Sequence, residues 1–415
     1  MTRELDASTL LHLFTARVAQ DAERPALWTK RDGVFRAQTW NALAHDVRRT
    51  AAALAAVGVR PGDRVVQVSE NRPEWIVTDL AIQWAGAIHV PVHAPLVGLQ
   101  IVEQILDCGA RVVVLSGPGQ AEKLVSLRSR LPKDMVLLSY DACPPTSGVR
   151  PLSQLAEQAG ASSGRKLNEP SPAFGQPDDI ATIIYTSGTT GEPKGVTLSQ
   201  RNLTSNTLGS LRAFEVQSHD IRLTLLPLSH IFARTCDLYG WIAAGCQLAL
   251  AENRETVLAD CALVKPTLLN GVPYFFDKVM RLLVEEKRHN EPGSLREKLG
   301  GRVRFCCSGG AALPDHVARF FNERDVPLVQ GYGLTETSPV VTLSTPEANK
   351  VGFVGRPVEG VEVRVAPDGE ILTRGSHVMI GYWQKPEATA AVLRDGWFYT
   401  GDLGEIDADG FVRIT

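Results

Sequence analysis

The densest run of functional side chains lies at residues 185–195, YTSGTTGEPKG. Thr186, Ser187, Thr189 and Thr190 offer hydroxyl donors, and Lys194 adds a compact positive charge. Gly188, Gly191 and Gly195 let the backbone turn tightly and approach a ligand closely. Successive N–H groups in such a turn form an anion-binding nest. The chemistry this predicts is a cradle for a polyphosphate. A Walker A loop needs Ser or Thr after its lysine, whereas Lys194 is followed by Gly195. Residues 180–184 and 196–198 are short apolar, β-branched runs, so the loop is expected to join two strands.

Further along the chain stand four weaker signals. Residues 303–307 read as a strand running into Ser308-Gly309-Gly310-Ala311, where backbone can approach something flat. Gly331 and Gly333 flank Tyr332, leaving a ring face free for stacking; Thr335 and Glu336 follow, and a magnesium–nucleotide takes one or two protein carboxylates. Asp402 sits in a turn after the aromatic run at 397–399, where it could accept two ribose hydroxyls or simply serve the turn. In LPLSHIFAR (226–234), Ser229 suits a helix N-cap and His230 falls in the first turn, where the helix dipole favours an anion. Each alone has an ordinary structural reading: a packed tyrosine, a helix glutamate, a turn aspartate, a core histidine. The phosphate loop, the Gly-Gly turn, the Tyr–Thr–Glu string and the turn Asp occur in this order and together make the inventory for one magnesium–nucleotide.

The elements that must carry these residues form a chain of 415 residues, enough for two or three packed units. Lys and Arg number 43 against 46 Asp and Glu, so no overall field points to nucleic acid. Seven cysteines without a C-x-x-C pair suggest neither a disulfide framework nor a zinc site, and a reduced cytoplasmic setting. No signal-type or membrane-spanning apolar run occurs; peripheral membrane contact stays open.

Residues 36–58 have helical periodicity. They are followed by a strand at 64–69, a helix at 74–84, a strand at 87–92, a helix at 99–106 and a strand at 111–115. That alternation predicts a parallel sheet with crossover helices. Residues 161–179 read as a Ser/Pro/Gly-rich linker, after which the phosphate loop would open a second α/β unit. Beyond about 351 short alternating runs and turns at 367–369 and 409–410 predict a small β-rich unit. The expected division is 1–173, 174–350 and 351–415.

These motifs resemble the adenylate-forming superfamily of acyl-CoA synthetases, peptide-synthetase adenylation domains and luciferases. YTSGTTGEPKG is similar to its phosphate loop, GYGLTE to its adenine and magnesium motif, and YTGDLG to its ribose motif. LPLSHIFAR, SGGAALPDHVARFF and GYWQKPEAT resemble long-chain fatty-acid–CoA ligases in particular. The resemblance implies two doubly wound α/β subdomains plus a small, distorted β-barrel-like one. It implies ATP, Mg²⁺ and coenzyme A as cofactor and co-substrates and a fatty acid as the substrate. Carried over by position, Thr186, Lys194, His230, Thr335 and Glu336 form the catalytic set. Ser187, Gly188, Thr189, Thr190 and Gly191 join Thr186 and Lys194 around the phosphates. Gly309, Gly310, Ala311, Gly331, Tyr332 and Gly333 enclose adenine, and Asp402 holds ribose. Glu336 and Thr189 face the metal. His230, Ile231, Phe232 and Arg234 line the acyl pocket by position, although Leu228, Ile231, Phe232 and Trp241 could each be lining or core and are better read as core.

The family continues into a small C-terminal domain with a lysine that this chain, ending at Thr415, does not show; weakened adenylation and little thioester formation are therefore expected. Other readings are an amino-acid adenylation domain, a fatty-acyl–AMP ligase, or a module that only binds nucleotide or acyl ligands. The first lacks an Asp directly after Phe232, and Asp237 is a poor substitute. The second lacks an insertion between Thr337 and Gly355.

Overall fold

The computed structural model describes residues 8–162, 175–187 and 192–415. Two large sheets and one small sheet organise them. The first large sheet has eight strands, in the order Gly381–Tyr382, Pro193–Ser199, Ile180–Ser187, Ile88–Val92, Arg64–Val68, Val112–Leu115, Val136–Ser139 and Arg150–Pro151. Its centre is parallel, and its strands are fully buried Val/Ile-rich runs, as a sheet covered on both faces requires. The phosphate-loop strands form an antiparallel hairpin, with Thr186 opposite Lys194 and Ser187 opposite Pro193. Gly188, Thr189, Thr190 and Gly191 lie outside the described residues, as does most of the expected linker.

The second large sheet has nine strands. It runs from Arg356–Pro357 through Val340–Leu343, Leu328–Gly333, Phe305–Ser308, Leu268–Gly271, Ile221–Thr224 and Gln247–Leu250 to Pro25–Arg31 and Val34–Thr39. Up to Pro357 the chain therefore crosses between the two large sheets twice, after Thr39 and after Ser199. The phosphate hairpin completes the first sheet through His89 opposite Thr182. The N-terminal strand Pro25–Arg31 joins the second, with Trp28 opposite Ala249. Both pairings bury apolar strands that would otherwise present an open edge.

Residues 36–39 extend a strand rather than starting a helix. The helix Trp40–Ala56 begins after them because Thr39 accepts a hydrogen bond from the Ala42 N–H at 3.2 Å. At the join between the two large sheets Trp40 stacks on Trp241, ring centroids 4.5 Å apart, in one continuous apolar cluster.

The third sheet runs Val361–Val365, Glu370–Gly375, Trp397–Ile406, Leu393–Arg394, with Val412–Ile414 paired to Trp397–Ile406. It is open, so the barrel-like expectation is corrected: among the described residues its outer strands do not meet. Gly381–Tyr382 also leaves this unit, pairing with Pro193–Ser199 beside the phosphate hairpin.

Candidate active site

A cavity of about 630 Å³ opens where the three sheets meet. Thr186, Lys194, His230, Ile231, Phe232, Gly309, Gly310, Gly331, Tyr332, Gly333, Thr335 and Glu336 all line it. Ala311 does not; it is exposed on the turn beyond the two glycines. Asp402 stands one shell out and accepts a hydrogen bond from the Tyr332 hydroxyl at 2.6 Å. Its neighbours Thr400 and Gly401 reach the cavity wall.

The polar end is built from strand ends and tight turns. Thr186 and Lys194 face each other across the hairpin. Opposite them Thr335–Thr337 forms one turn of 3₁₀ helix, closed by the Thr337 hydroxyl, which accepts from the Leu334 N–H at 2.9 Å. This turn presents Glu336. Gly333 is obligatory at its entrance, because a Cβ there would overlap the Pro339 carbonyl. Tyr382 enters from the third unit: its hydroxyl donates to Glu336 at 2.9 Å, and its ring lies 5.1 Å from the Lys194 ammonium. Burial and the Glu336 carboxylate push this phenol up, so it keeps its proton as donor. Tyr382 is a cavity residue that motif reading missed, although GYWQKPEAT had been singled out.

The apolar end lies against the second sheet. Phe305, Cys307 and Gly309 alternate along one strand and its continuation, and Leu268 and Asn270 along its neighbour. Side chains of period two share one face. Phe214 stacks on Phe305 with centroids 4.8 Å apart. Gly309 marks the junction of the two ends, since a Cβ there would stand 3.1 Å from the Phe232 ring.

His230 stands at the same junction. It precedes the helix rather than lying in its first turn, and Ser229 does not cap it: the Ser229 hydroxyl pairs with His93 Nδ1 at 3.1 Å. His230 Nδ1 instead accepts the Phe232 N–H at 3.2 Å, which leaves the neutral ring's proton on Nε2. Burial, then the nearby His93, lowers its pKa, keeping it neutral at neutral pH.

Arg234 is the main correction. The helix that follows His230 is a π-helix over Ala233–Tyr239, and its wider turn sends Arg234 into the interior. There Arg234 is fully buried, paired with Asp79, 2.7 Å from Thr182 Oγ1 and 2.8 Å from His89 Nδ1. Tyr239 donates to Asp79 at 3.0 Å. This cluster ties the helix Pro73–Trp84 and two strands of the first sheet to the wall of the cavity. Asp237 is also buried away from the cavity, held by Thr224 and by Asn270 at 2.7 Å. It cannot meet a substrate ammonium.

Carboxylate, lysine and hydroxyls at one end of a cavity and an apolar limb at the other suit a nucleotide joined to an organic acid. Comparison with known proteins agrees. The family model for AMP-binding enzymes matches residues 14–383. The chain belongs to this family. Within the AMP-binding enzymes it is 32% identical over 426 residues to the long-chain-fatty-acid–CoA ligase FadD15 of Mycobacterium bovis, covering 92% of this chain and 70% of that one. It is 33% identical over 393 residues to a feruloyl-CoA synthase of Amycolatopsis, covering 91% and 73%. The N-terminal domain of FACL13 from Mycobacterium tuberculosis shares the fold, with a TM-score of 0.81 at 24% identity, covering 98% of this chain and 99% of that domain. Among the described residues of this AMP-binding enzyme, no helix is long and apolar enough to cross a membrane.

Proposed function

We propose that the protein activates a carboxylic acid, a fatty acid in the first instance, with ATP and passes the acyl group to coenzyme A. The observation that carries this reading is the single cavity in which Lys194, Thr186 and Glu336 face an apolar limb across His230. In the first step a carboxylate oxygen attacks the α-phosphorus, the bond to the bridging oxygen breaks, and pyrophosphate leaves. The coenzyme A thiol then attacks the acyl carbonyl, losing its proton as AMP departs.

The residues have distinct tasks. Two anions must approach, so positive charge and donors must be in place beforehand. Lys194 and Thr186 serve the β- and γ-phosphates, with Ser187, Thr189 and Thr190 from the same loop. Thr335 serves the α-phosphate. Gly309, Gly310, Gly331, Tyr332 and Gly333 border adenine, and Asp402 accepts from ribose with the oxygen that Tyr332 leaves free. Glu336 on the cavity wall would hold Mg²⁺, with Thr189 from the phosphate loop, one or two protein carboxylates beside phosphates being a common arrangement; bound there, the ion would neutralise phosphate charge. His230 Nε2–H is placed to orient the reacting carboxylate.

The test is acid-dependent pyrophosphate release over a chain-length series of fatty acids, with amino acids as controls. Selective release with fatty acids is the expected result. Equal release with every carboxylate would overturn the fatty-acid assignment. The stacked Phe214–Phe305 pair, together with the feruloyl-CoA synthase relative, favours an aromatic acid as the second reading, and cinnamate-type acids belong in the same series.

A further inference from the structure

The deep end of the apolar limb contains a cation. Arg222 lies opposite Leu268 on the neighbouring strand, and Leu268 lies opposite Phe305. All three line the cavity. Four residues along the strand separate this row from Gly309, which at roughly 3.3 Å per residue puts Arg222 about 13 Å below the junction with the nucleotide end. A limb meant only for hydrocarbon has no use for a guanidinium at that depth, because burying an incompletely paired charge is costly.

The pairing of Arg222 is incomplete. It is 7% exposed. Nη1 donates to the Cys236 carbonyl at 3.0 Å, and the guanidinium also bonds to the Cys246 sulfur, a weak acceptor. Its nearest carboxylate oxygen, on Asp237, is 3.9 Å away and already serves Asn270. Burial pushes Asp237 up to about 6 despite Arg222, as a loose ion pair would allow. Nε has no hydrogen-bond partner, and neither does the hydroxyl of Ser210, which is 9% exposed and lines the same limb. Gly240, also on the cavity wall, leaves a way through: a Cβ there would stand 3.9 Å from Arg222 Nη2.

We infer that the acid this enzyme activates carries an oxygen acceptor at its far end, received by Arg222 with Ser210 beside it. Hydroxyl, keto and carboxylate termini share this chemistry; a plain methyl terminus does not. A carboxylate gains most, through a charge-assisted bond. The inference rests on the proposed activation of a carboxylic acid and narrows the fatty-acid reading to acids oxygenated at the far end, plain methyl-ended fatty acids being the weaker substrates.

The experiment measures calorimetric binding of length-matched acids ending in methyl, hydroxyl or carboxylate to the full chain, with pyrophosphate release followed separately. The oxygen-ended acids are expected to bind about tenfold tighter or more, the worth of one hydrogen bond to a charged group. Arg222→Met should erase that ratio. If that variant does not fold, Gly240→Ala, at a helical position that accepts alanine, should cut the ratio several-fold by screening Nη2. Methyl-ended acids binding as tightly in the wild type, or a ratio that survives these substitutions, would overturn the inference. Binding with the expected ratio but no pyrophosphate from any acid would overturn the adenylation reading and leave the distal anchor standing. No binding of any acid would overturn both.

Discussion

The Tyr382 hydroxyl donates to the Glu336 carboxylate at 2.9 Å while its ring lies beneath the Lys194 ammonium. One side chain from the third unit thus touches both the lysine and the glutamate of the polar end. It arrives through the short strand Gly381–Tyr382, where Tyr382 pairs with Val196, two residues past Lys194.

Two substitutions separate these contacts. Tyr382→Phe keeps a ring for Lys194 and removes the hydroxyl from Glu336; half-saturation by Mg²⁺ should rise several-fold while ATP affinity changes little. Tyr382→Ala removes both and should also weaken ATP binding by up to about thirtyfold, the worth of a desolvated cation–π contact. Titrating ATP and Mg²⁺ against each variant distinguishes these outcomes. Identical behaviour of the two variants would refute the division of labour.

Lys194→Ala should lower nucleotide affinity by about tenfold to a hundredfold, the range for a hydrogen bond to a charged group. Thr186, opposite it on the hairpin, should show a smaller loss as Thr186→Val. Nucleotide titration checks both, and an unchanged affinity for Lys194→Ala would mean the hairpin does not grip phosphate.

Arg234 makes the opposite prediction. Removing one partner of a buried ion pair leaves the other charge uncompensated, at a cost of about 3–5 kcal/mol. Arg234→Met should therefore unfold at markedly lower denaturant while ranking acid substrates as the wild type does. A changed ranking without lost stability would return Arg234 to the substrate pocket.

The strands and the phosphate hairpin were legible because their apolar runs are local and bounded by turn residues. Sheet membership was not, since it depends on non-local pairing: Thr182 beside His89, Trp28 beside Ala249. Of the cavity, the polar residues with a fixed order of motifs could be named in advance. Arg234 was misplaced because closeness to His230 in sequence says nothing of side-chain direction once a π-helix intervenes. Arg222 and Gly240 carried no motif at all; only the two-residue period of neighbouring strands and a missing Cβ reveal what they face.

The buried cluster around Arg234 also gives a pH signature. Burial first, and then the Arg234 charge, lowers His89 from 6.5 to about 4. Between those values the folded protein binds fewer protons than the unfolded chain. The His89 contribution is thus fully present above about pH 6.5 and lost as pH falls towards 4, at a limit of about 1.4 kcal/mol per pH unit. Asp237, pushed up to about 6, acts in the opposite sense below that pH, so the wild-type curve alone mixes the two. The stability difference between wild type and His89→Gln isolates the histidine. Denaturant unfolding should show that difference shrinking from neutral pH to about pH 4, and a constant difference would mean His89 does not titrate in this window.

The junction of the two ends is set by Gly309 and Phe232, so their substitutions should not add. Gly309→Ala brings a methyl to 3.1 Å from the ring, closer than ordinary packing, and either the ring or the turn must move. Because the ring separates the nucleotide end from the acyl limb, its displacement should weaken acid binding several-fold with a smaller effect on ATP. Phe232→Ala removes the obstacle but also the wall, and should weaken acid binding on its own. In the double variant the added methyl has nothing to strike, so Gly309→Ala should then cost little. A double-mutant cycle on acid affinity measures the coupling, which for contacting residues is about 0.5–3 kcal/mol. Simple additivity would show that the two residues do not meet in the working enzyme.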